Sequence, residues 1–161
     1  MIGFLRGLVL GGEPVLSQAQ VGDAAAIAVL HGASFRRGWS EDEIESLLTD
    51  RSVIAHRAMI GSRFAGFIIS RIAADEAEIL TVAVASNYRG RSIARGLLRY
   101  HLGRLMAFGV RRVFLEVEEG NVAALKLYRR ACFIEAGRRE GYYPKEAGKS
   151  AAALILRRDL A

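Results

Sequence analysis

Two stretches of this sequence combine residue types that can do chemistry. The first runs from Glu78 to Leu98: an apolar segment Ile79-Leu80-Thr81-Val82-Ala83-Val84, a loop Ala85-Ser86-Asn87-Tyr88-Arg89-Gly90-Arg91, and a helical pattern from Ser92 onward. A strand that turns through small and basic residues into a helix presents the unpaired N–H groups of the first helical turn, where the helix dipole is positive. A diphosphate can seat on those main-chain donors, with Arg89, Arg91 and Arg95 supplying full charges. The same residues also describe a plain strand-to-helix turn whose arginines are merely solvated.

The second stretch runs from Val113 to Phe133 and reads as strand, asparagine, short helix. Glu116 offers a carboxylate that can accept a proton, directly or through a water; an outward-facing strand residue is the plainer alternative. Tyr128 has a phenol whose ordinary pKa of about 10 lies above the thiol value of about 8.5, so it is protonated when a thiolate leaves. An amphipathic tyrosine on a core-facing stripe fits the same position. Asn121 stands where a helix N-cap belongs.

The elements that must carry these residues follow from periodicity and punctuation. Val15–Gln20 reads as a first strand, Asp23 as the N-cap of a helix through His31, and Ser40 with Glu43 as a capping box for a second helix through Leu48. Strand patterns cover 52–60, 63–73 and 77–85, with Gly61-Ser62 as a hairpin turn. A long helix spans 92–108, with Ile93, Leu97, Leu98, Leu102 and Leu105 at helical spacing and Gly109 as its C-cap glycine. Then come a strand over 110–118, a helix over 121–130, and strands over 133–138 and 151–157. The sum is an α/β architecture: a mixed sheet of about seven strands with helices on both faces.

On these two stretches the sequence resembles the GNAT N-acetyltransferases. Arg89, Ser92 and Ala94 occupy the marked positions of the family's acetyl-CoA-binding motif Arg/Gln-x-x-Gly-x-Gly/Ala, with serine in place of the usual glycine. Leu115-Glu116-Val117, Asn121, Ala123-Ala124, Leu127-Tyr128 and Phe133 are most similar to the bacterial ribosomal-protein-alanine N-acetyltransferases. Gly38-Trp39-Ser40 and Gly141-Tyr142-Tyr143-Pro144 are similar to further motifs of that group. The resemblance implies acetyl-CoA as cosubstrate, bound by Val82, Ala83, Val84, Arg89, Gly90, Arg91, Ser92, Ile93, Ala94, Arg95, Asn121 and Tyr128. In the family a bulged strand offers backbone N–H groups to the thioester, which would here be Val82-Ala83-Val84. It also implies a single-domain fold with a mixed, mostly antiparallel central sheet, and Glu116 and Tyr128 as catalytic base and acid. The implied acceptor is the N-terminal alanine of a small-subunit ribosomal protein, in the cytoplasm. An α-amine, with pKa about 7.7–8.0, needs a milder base than a lysine at about 10.4. Phe35, Trp39, Tyr142 and Tyr143 would form aromatic walls around the entering peptide, and Glu118 or Glu119 would attract its cation. Cys132 replaces a usual glycine and should strain a left-handed helix cap. A nucleophilic role for it is not expected, since transfer in the family is direct.

Composition limits the remaining options. With 161 residues, 52% apolar and 25% charged, the chain fits one globular domain. Arg6 interrupts the apolar opening and no small-x-small cleavage site precedes Glu13, so residues 1–12 read as an N-terminal extension and 13–161 as the domain. One cysteine, Cys132, excludes an internal disulfide. His31, His56 and His101 are far apart, without metal-ligand spacing, so no metal is expected. The net charge of +6 suits an anionic cofactor or a ribosomal setting, and no nucleic-acid motif accompanies it. No run is long enough to span a membrane. Competing expectations are a GNAT enzyme acting on a small amine or a lysine side chain, and a non-catalytic acetyl-CoA-binding module.

Overall fold

The computed structural model describes residues 12–144 and 150–160, and of residues 142–144 and 150 the backbone alone. The elements run β1 (Val15–Gln18), α1 (Ala24–Ser34), α2 (Glu41–Thr49), β2 (Val53–Ile60), β3 (Arg63–Ala73) and β4 (Glu76–Val84). They continue α3 (Ile93–Ala107), β5 (Arg112–Glu118), α4 (Val122–Arg130), β6 (Ile134–Pro144) and β7 (Ser150–Asp159). Residues 1–11 of the expected N-terminal extension lie outside the described residues.

Local chemistry accounts for most boundaries. The expected capping box starts α2: the Glu43 N–H donates to Ser40 Oγ at 3.2 Å and the Ser40 N–H donates to Glu43 Oε2 at 2.7 Å. Gly109, at φ +85°, ends α3 as expected. Asp23 is not the simple N-cap its position suggested. It closes a 3-10 turn, Val21–Asp23, by accepting the Gln20 N–H at 2.7 Å, and it pairs with Arg57 at 2.5 Å. That turn ends β1 two residues earlier than the apolar pattern implied. At the other end of the chain β6 runs to Pro144 rather than Arg138, because β7 continues to pair with it through Tyr143↔Ala151.

The strands form one sheet in the order β1-β2-β3-β4-β5-β7-β6. Only β4 and β5 are parallel, and α3 is the crossover that a parallel pair requires. Alternation along each strand divides the core between two faces. Ile68, Val113, Leu115 and Val117 pack with Leu97, Leu98 and Tyr128 of α3 and α4. Phe67, Ile69 and Ala83 pack with Ile27 and Ile44 of α1 and α2.

Two irregularities in β4 create the site. Ser70 pairs with Ile79 but Ile69 with Thr81, so Leu80 is an extra residue, a β-bulge. The bulge reverses which side chains face which layer: Ile79 and Val82, three apart, both join the α3/α4 core, while Leu80 joins the α1/α2 core. Immediately beyond, the ladder to β5 stops at Ile79↔Leu115. The rest of β4 pairs with β3 alone and the rest of β5 with β7 alone. The sheet therefore splays open between Leu80–Val84 and Glu116–Glu118.

The core also corrects the view of the histidines as scattered. His56 of β2 and His101 of α3 meet, Nδ1 to Nδ1, at 2.6 Å, and His101 Nε2 lies 2.6 Å from Ser70 Oγ of β3. All three residues are buried. This chain of hydrogen bonds ties α3, whose first turn carries the phosphate-cradle sequence, to the middle of the sheet. Burial pushes the His101 imidazole down to about 3, helped by His56, and His56 down to about 4, helped by Arg104. Among the described residues no group of three His, Cys, Asp or Glu side chains is arranged to hold a metal ion.

Candidate active site

A cleft of about 1000 Å³ opens on the α3/α4 side of the splay. Its walls bring together residues from three distant segments. Val82, Ala83 and Val84 come from β4 past the bulge; Arg89, Gly90, Ser92, Ile93, Ala94 and Arg95 come from the loop and the start of α3; Asn121 and Tyr128 come from α4 and its cap. Thus every candidate cofactor residue lines one cavity except Arg91, whose guanidinium lies over the Tyr88 ring, 5.6 Å from its centroid, and is not part of the cleft wall.

The loop before α3 is shaped by two left-handed residues, Gly90 at φ +78° and Ser92 at φ +60°. Ser92 is the N-cap of α3, yet its side chain makes no capping hydrogen bond there. Left-handed backbone costs a residue with a Cβ about 1–2 kcal/mol, so the serine in the usual glycine position is strained rather than accommodated. Behind it, Arg89 Nε donates to the Val84 carbonyl at 3.3 Å, which fixes the loop to the end of β4.

Helix α4 positions the other wall. Asn121 caps it, its Oδ1 accepting the Ala124 N–H at 3.2 Å. The plainer expectation for Asn121 is therefore realised, and its amide nitrogen is left for another acceptor. At the far end the Phe133 N–H donates to the Tyr128 carbonyl and the Cys132 N–H to the Arg129 carbonyl, both at 3.0 Å. These two bonds make a Schellman motif, with Cys132 in the left-handed position at φ +64°. Tyr128 and Phe133 supply its hydrophobic contact, rings edge to face with centroids 5.6 Å apart. Cys132→Gly is expected to raise stability by roughly 0.5–1 kcal/mol, since glycine removes the strain but loosens the unfolded chain. Thermal melting checks it; an unchanged or lower melting temperature would mean that the cap is not strained.

Tyr128 is 5% exposed and lines the cleft, and burial pushes its phenol up to about 12. It stays protonated throughout the accessible pH range and can act only as a donor or as a neutral acceptor.

Glu116 is elsewhere. Because Leu115 and Val117 face α3 and α4, Glu116 points to the opposite side of the sheet, into a groove of about 700 Å³ beneath α2. Trp39, Glu78 and Leu80 also line that groove. Arg139 Nη2 pairs with Glu116 Oε1 at 3.0 Å. The base and acid candidates thus occupy separate cavities, one on each face of the sheet, and both cavities reach the stretch where β4 and β5 have parted.

The aromatic candidates divide in the same way. Phe35 lines the cleft and Trp39 the groove, and both lie against His31, with ring centroids 4.5 and 4.4 Å away. The Trp39 N–H donates to His31 Nδ1 at 3.1 Å, and burial lowers the His31 pKa, so the imidazole is a neutral acceptor that holds the α1–α2 loop. The side chains of Tyr142 and Tyr143 lie outside the described residues; their backbones belong to the outer end of β6. Glu119 accepts from Arg138 at 2.6 Å and from the Ala152 N–H at 3.3 Å. It joins β5 to the last two strands.

The acetyltransferase (GNAT) family profile matches residues 24–132, most of the chain. The [ribosomal protein bS18]-alanine N-acetyltransferase of Escherichia coli is 32% identical over 117 residues, covering 73% of this chain and 78% of that protein. The chain belongs to the GNAT acetyltransferase family. A second relative with the same description, from Haemophilus influenzae, is 34% identical over 91 residues, 56% of this chain and 62% of its own length. Among solved structures, the ribosomal-protein-S18-alanine N-acetyltransferase from Escherichia coli superposes with a TM-score of 0.86 at 27% identity, over 92% of this chain and 95% of that one. Arabidopsis thaliana NAA60 in complex with acetyl-CoA gives a TM-score of 0.79 at 20% identity, covering 91% and 98% of the two chains, and shares the fold. This GNAT member is thus an acetyltransferase built on the fold of those structures. No helix among its described residues is long and apolar enough to cross a membrane.

Proposed function

We propose that this enzyme transfers the acetyl group of acetyl-CoA to a protein's α-amino terminus, the acceptor being the N-terminal alanine of a small-subunit ribosomal protein. The observation that carries the reading is the pair of cavities that flank the splay, one lined by Val82–Val84 and Tyr128 and the other by Leu80 and Glu116. Two substrates can then be bound at once from opposite faces and react directly between the strands.

The cleft suits acetyl-CoA in size and chemistry. Helical N–H groups behind Gly90 and Ser92, with Arg89 and Arg95, receive the diphosphate, and Asn121 offers its amide N–H to the pantetheine arm. The parted edge of β4, Leu80–Val84, has no strand partner on the β5 side among the described residues, so its main-chain donors can face the thioester oxygen. From the groove, the acceptor amine loses its proton to Glu116, directly or through one water, as its nitrogen bonds to the carbonyl carbon. When the carbon–sulfur bond breaks, the Tyr128 hydroxyl donates to the departing sulfur. A ribosomal acceptor places the reaction in the cytoplasm.

A second reading has one observation in its favour. Asp42, Glu43, Glu78 and Glu116 line the groove with Arg71; Arg37 pairs with Glu43 at 3.2 Å and Arg139 with Glu116 at 3.0 Å, and the carboxylates beyond those pairs also attract a polyamine. Initial rates separate the two. An alanine-starting ribosomal peptide should be acetylated far faster than the same peptide with a blocked terminus and a free lysine, and faster than spermidine. Faster turnover of spermidine or of the lysine would reverse the assignment.

A further inference from the structure

The Glu116 carboxylate does not stand free, and its partner comes from an unexpected strand. Glu116 lies on β5 opposite Ile155 of β7, and Ile155 in turn lies opposite Gly137 of β6. Gly137 has no side chain to put over that row. Two residues on, Arg139 sends its guanidinium back across β7 to meet Glu116 Oε1 at 3.0 Å. The Glu116 side chain is 22% exposed and that of Arg139 54%. The neighbouring arginine, Arg138, is engaged elsewhere, with Glu119 and Glu140.

The other charges in the groove make this contact consequential. Asp42 and Glu43 from α2 and Glu78 from β4 are carboxylates; Glu43 is paired with Arg37 at 3.2 Å, and the cation in the groove wall, Arg71 of β3, is shared with Asp50 at 4.0 Å. A glutamate with three rotatable side-chain bonds, facing other carboxylates, has every reason to swing away from them toward water. A planar guanidinium gripping one oxygen holds it. With Oε1 taken, Oε2 is the oxygen left to receive a proton.

We propose that Arg139 is a positioning residue for Glu116, orienting the carboxylate so that Oε2 faces the amine arriving in the groove. The proposal rests on the reading of Glu116 as the base. Positioning of this kind is worth about tenfold or more in turnover when lost. It acts on the base, so it should alter kcat and leave acetyl-CoA affinity alone.

A double-mutant cycle tests it, using the best acceptor found among peptide, lysine and polyamine. Arg139→Gln should lower kcat about tenfold, with the acetyl-CoA Kd and the melting temperature unchanged, and Arg139→Lys should recover part of the loss. In a Glu116→Gln background, Arg139→Gln should have no further effect. A tenfold loss that persists in that background, or no loss in the wild-type background, would overturn the proposal. If Glu116→Gln itself leaves kcat intact, the base assignment fails, and the positioning role with it. Absence of turnover with every amine would remove both readings.

Discussion

Tyr128→Phe is expected to lower kcat by roughly 10²–10³-fold while leaving acetyl-CoA binding and melting temperature close to those of the parent enzyme. The substitution deletes one oxygen from a side chain whose ring already packs edge to face on Phe133, so the Schellman cap of α4 and its hydrophobic contact survive. What is lost is the donor. With the phenol raised to about 12 and the ordinary thiol near 8.5, full proton transfer in water would run uphill. The hydroxyl therefore works first as a hydrogen-bond donor to sulfur as the carbon–sulfur bond lengthens, and the proton moves as charge builds on a sulfur held in the same desolvated cleft. Such an interaction strengthens in the transition state, so its loss appears in kcat rather than in binding. Steady-state rates together with calorimetric acetyl-CoA affinity check the split. A variant that kept more than a third of its kcat would place the donor on another residue.

Acidification should destabilise this protein through its core before it titrates the surface carboxylates. In the unfolded chain His56 and His101 have ordinary pKa values near 6.5; in the fold they fall to about 4 and about 3. Both are held neutral, so below pH 6.5 the unfolded chain binds protons that the native state refuses. Stability is therefore fully present above pH 6.5 and declines as pH falls toward 4, by about 1.4 kcal/mol per pH unit for each proton. The two imidazoles share one hydrogen bond, and the Tyr100 ring edge and Arg104 also face His56, so the loss between pH 6.5 and 5 should be on the order of 2–4 kcal/mol. Against a total stability of about 5–15 kcal/mol that is a large share. Glu43 and Asp50, whose carboxyls are lowered by hydrogen bonds from Ser40 and Ser52, add their own loss only below about pH 4.5, a separate window. Urea unfolding at pH 7.5, 6 and 5 reads the effect directly. His101→Gln should be less stable at pH 7.5 but lose less on acidification; a parent protein equally stable at pH 7.5 and 5 would show that the pair is not held neutral.

The parts of the site built from contiguous residues are legible in the sequence. The Arg89–Arg95 loop, the Asn121 cap, the tyrosine on α4 and the left-handed strain at Ser92 and Cys132 all depend on short-range geometry, and residue type reports that geometry directly. Parts that depend on which strand lies beside which are not. Ile79 to Val84 is an unbroken run of residues that suit a strand, so nothing in it marks Leu80 as the bulge that turns Val82 toward the cleft. Alternation around Leu115 and Val117 sends Glu116 to one face, but no local pattern says that α4, with Tyr128, covers the other. His56 and His101 are 45 residues apart and meet only because α3 crosses the strand that pairs with β2. The contact between Arg139 and Glu116 requires β7, the last strand, to insert between β5 and β6. Of the three arginines close together in sequence, Arg89 and Arg95 line the cleft and Arg91 lies over the Tyr88 ring, a difference that their spacing does not mark.

Mass spectrometry of an alanine-starting ribosomal N-terminal peptide, after incubation with the enzyme and acetyl-CoA, asks most directly whether the acceptor is an α-amine. Transfer across the splay to such an amine predicts one added acetyl group, located by fragmentation on the peptide's first nitrogen and nearly absent with Tyr128→Phe. An unmodified peptide under conditions where another amine is acetylated, or an acetyl group found on a lysine side chain, would contradict it.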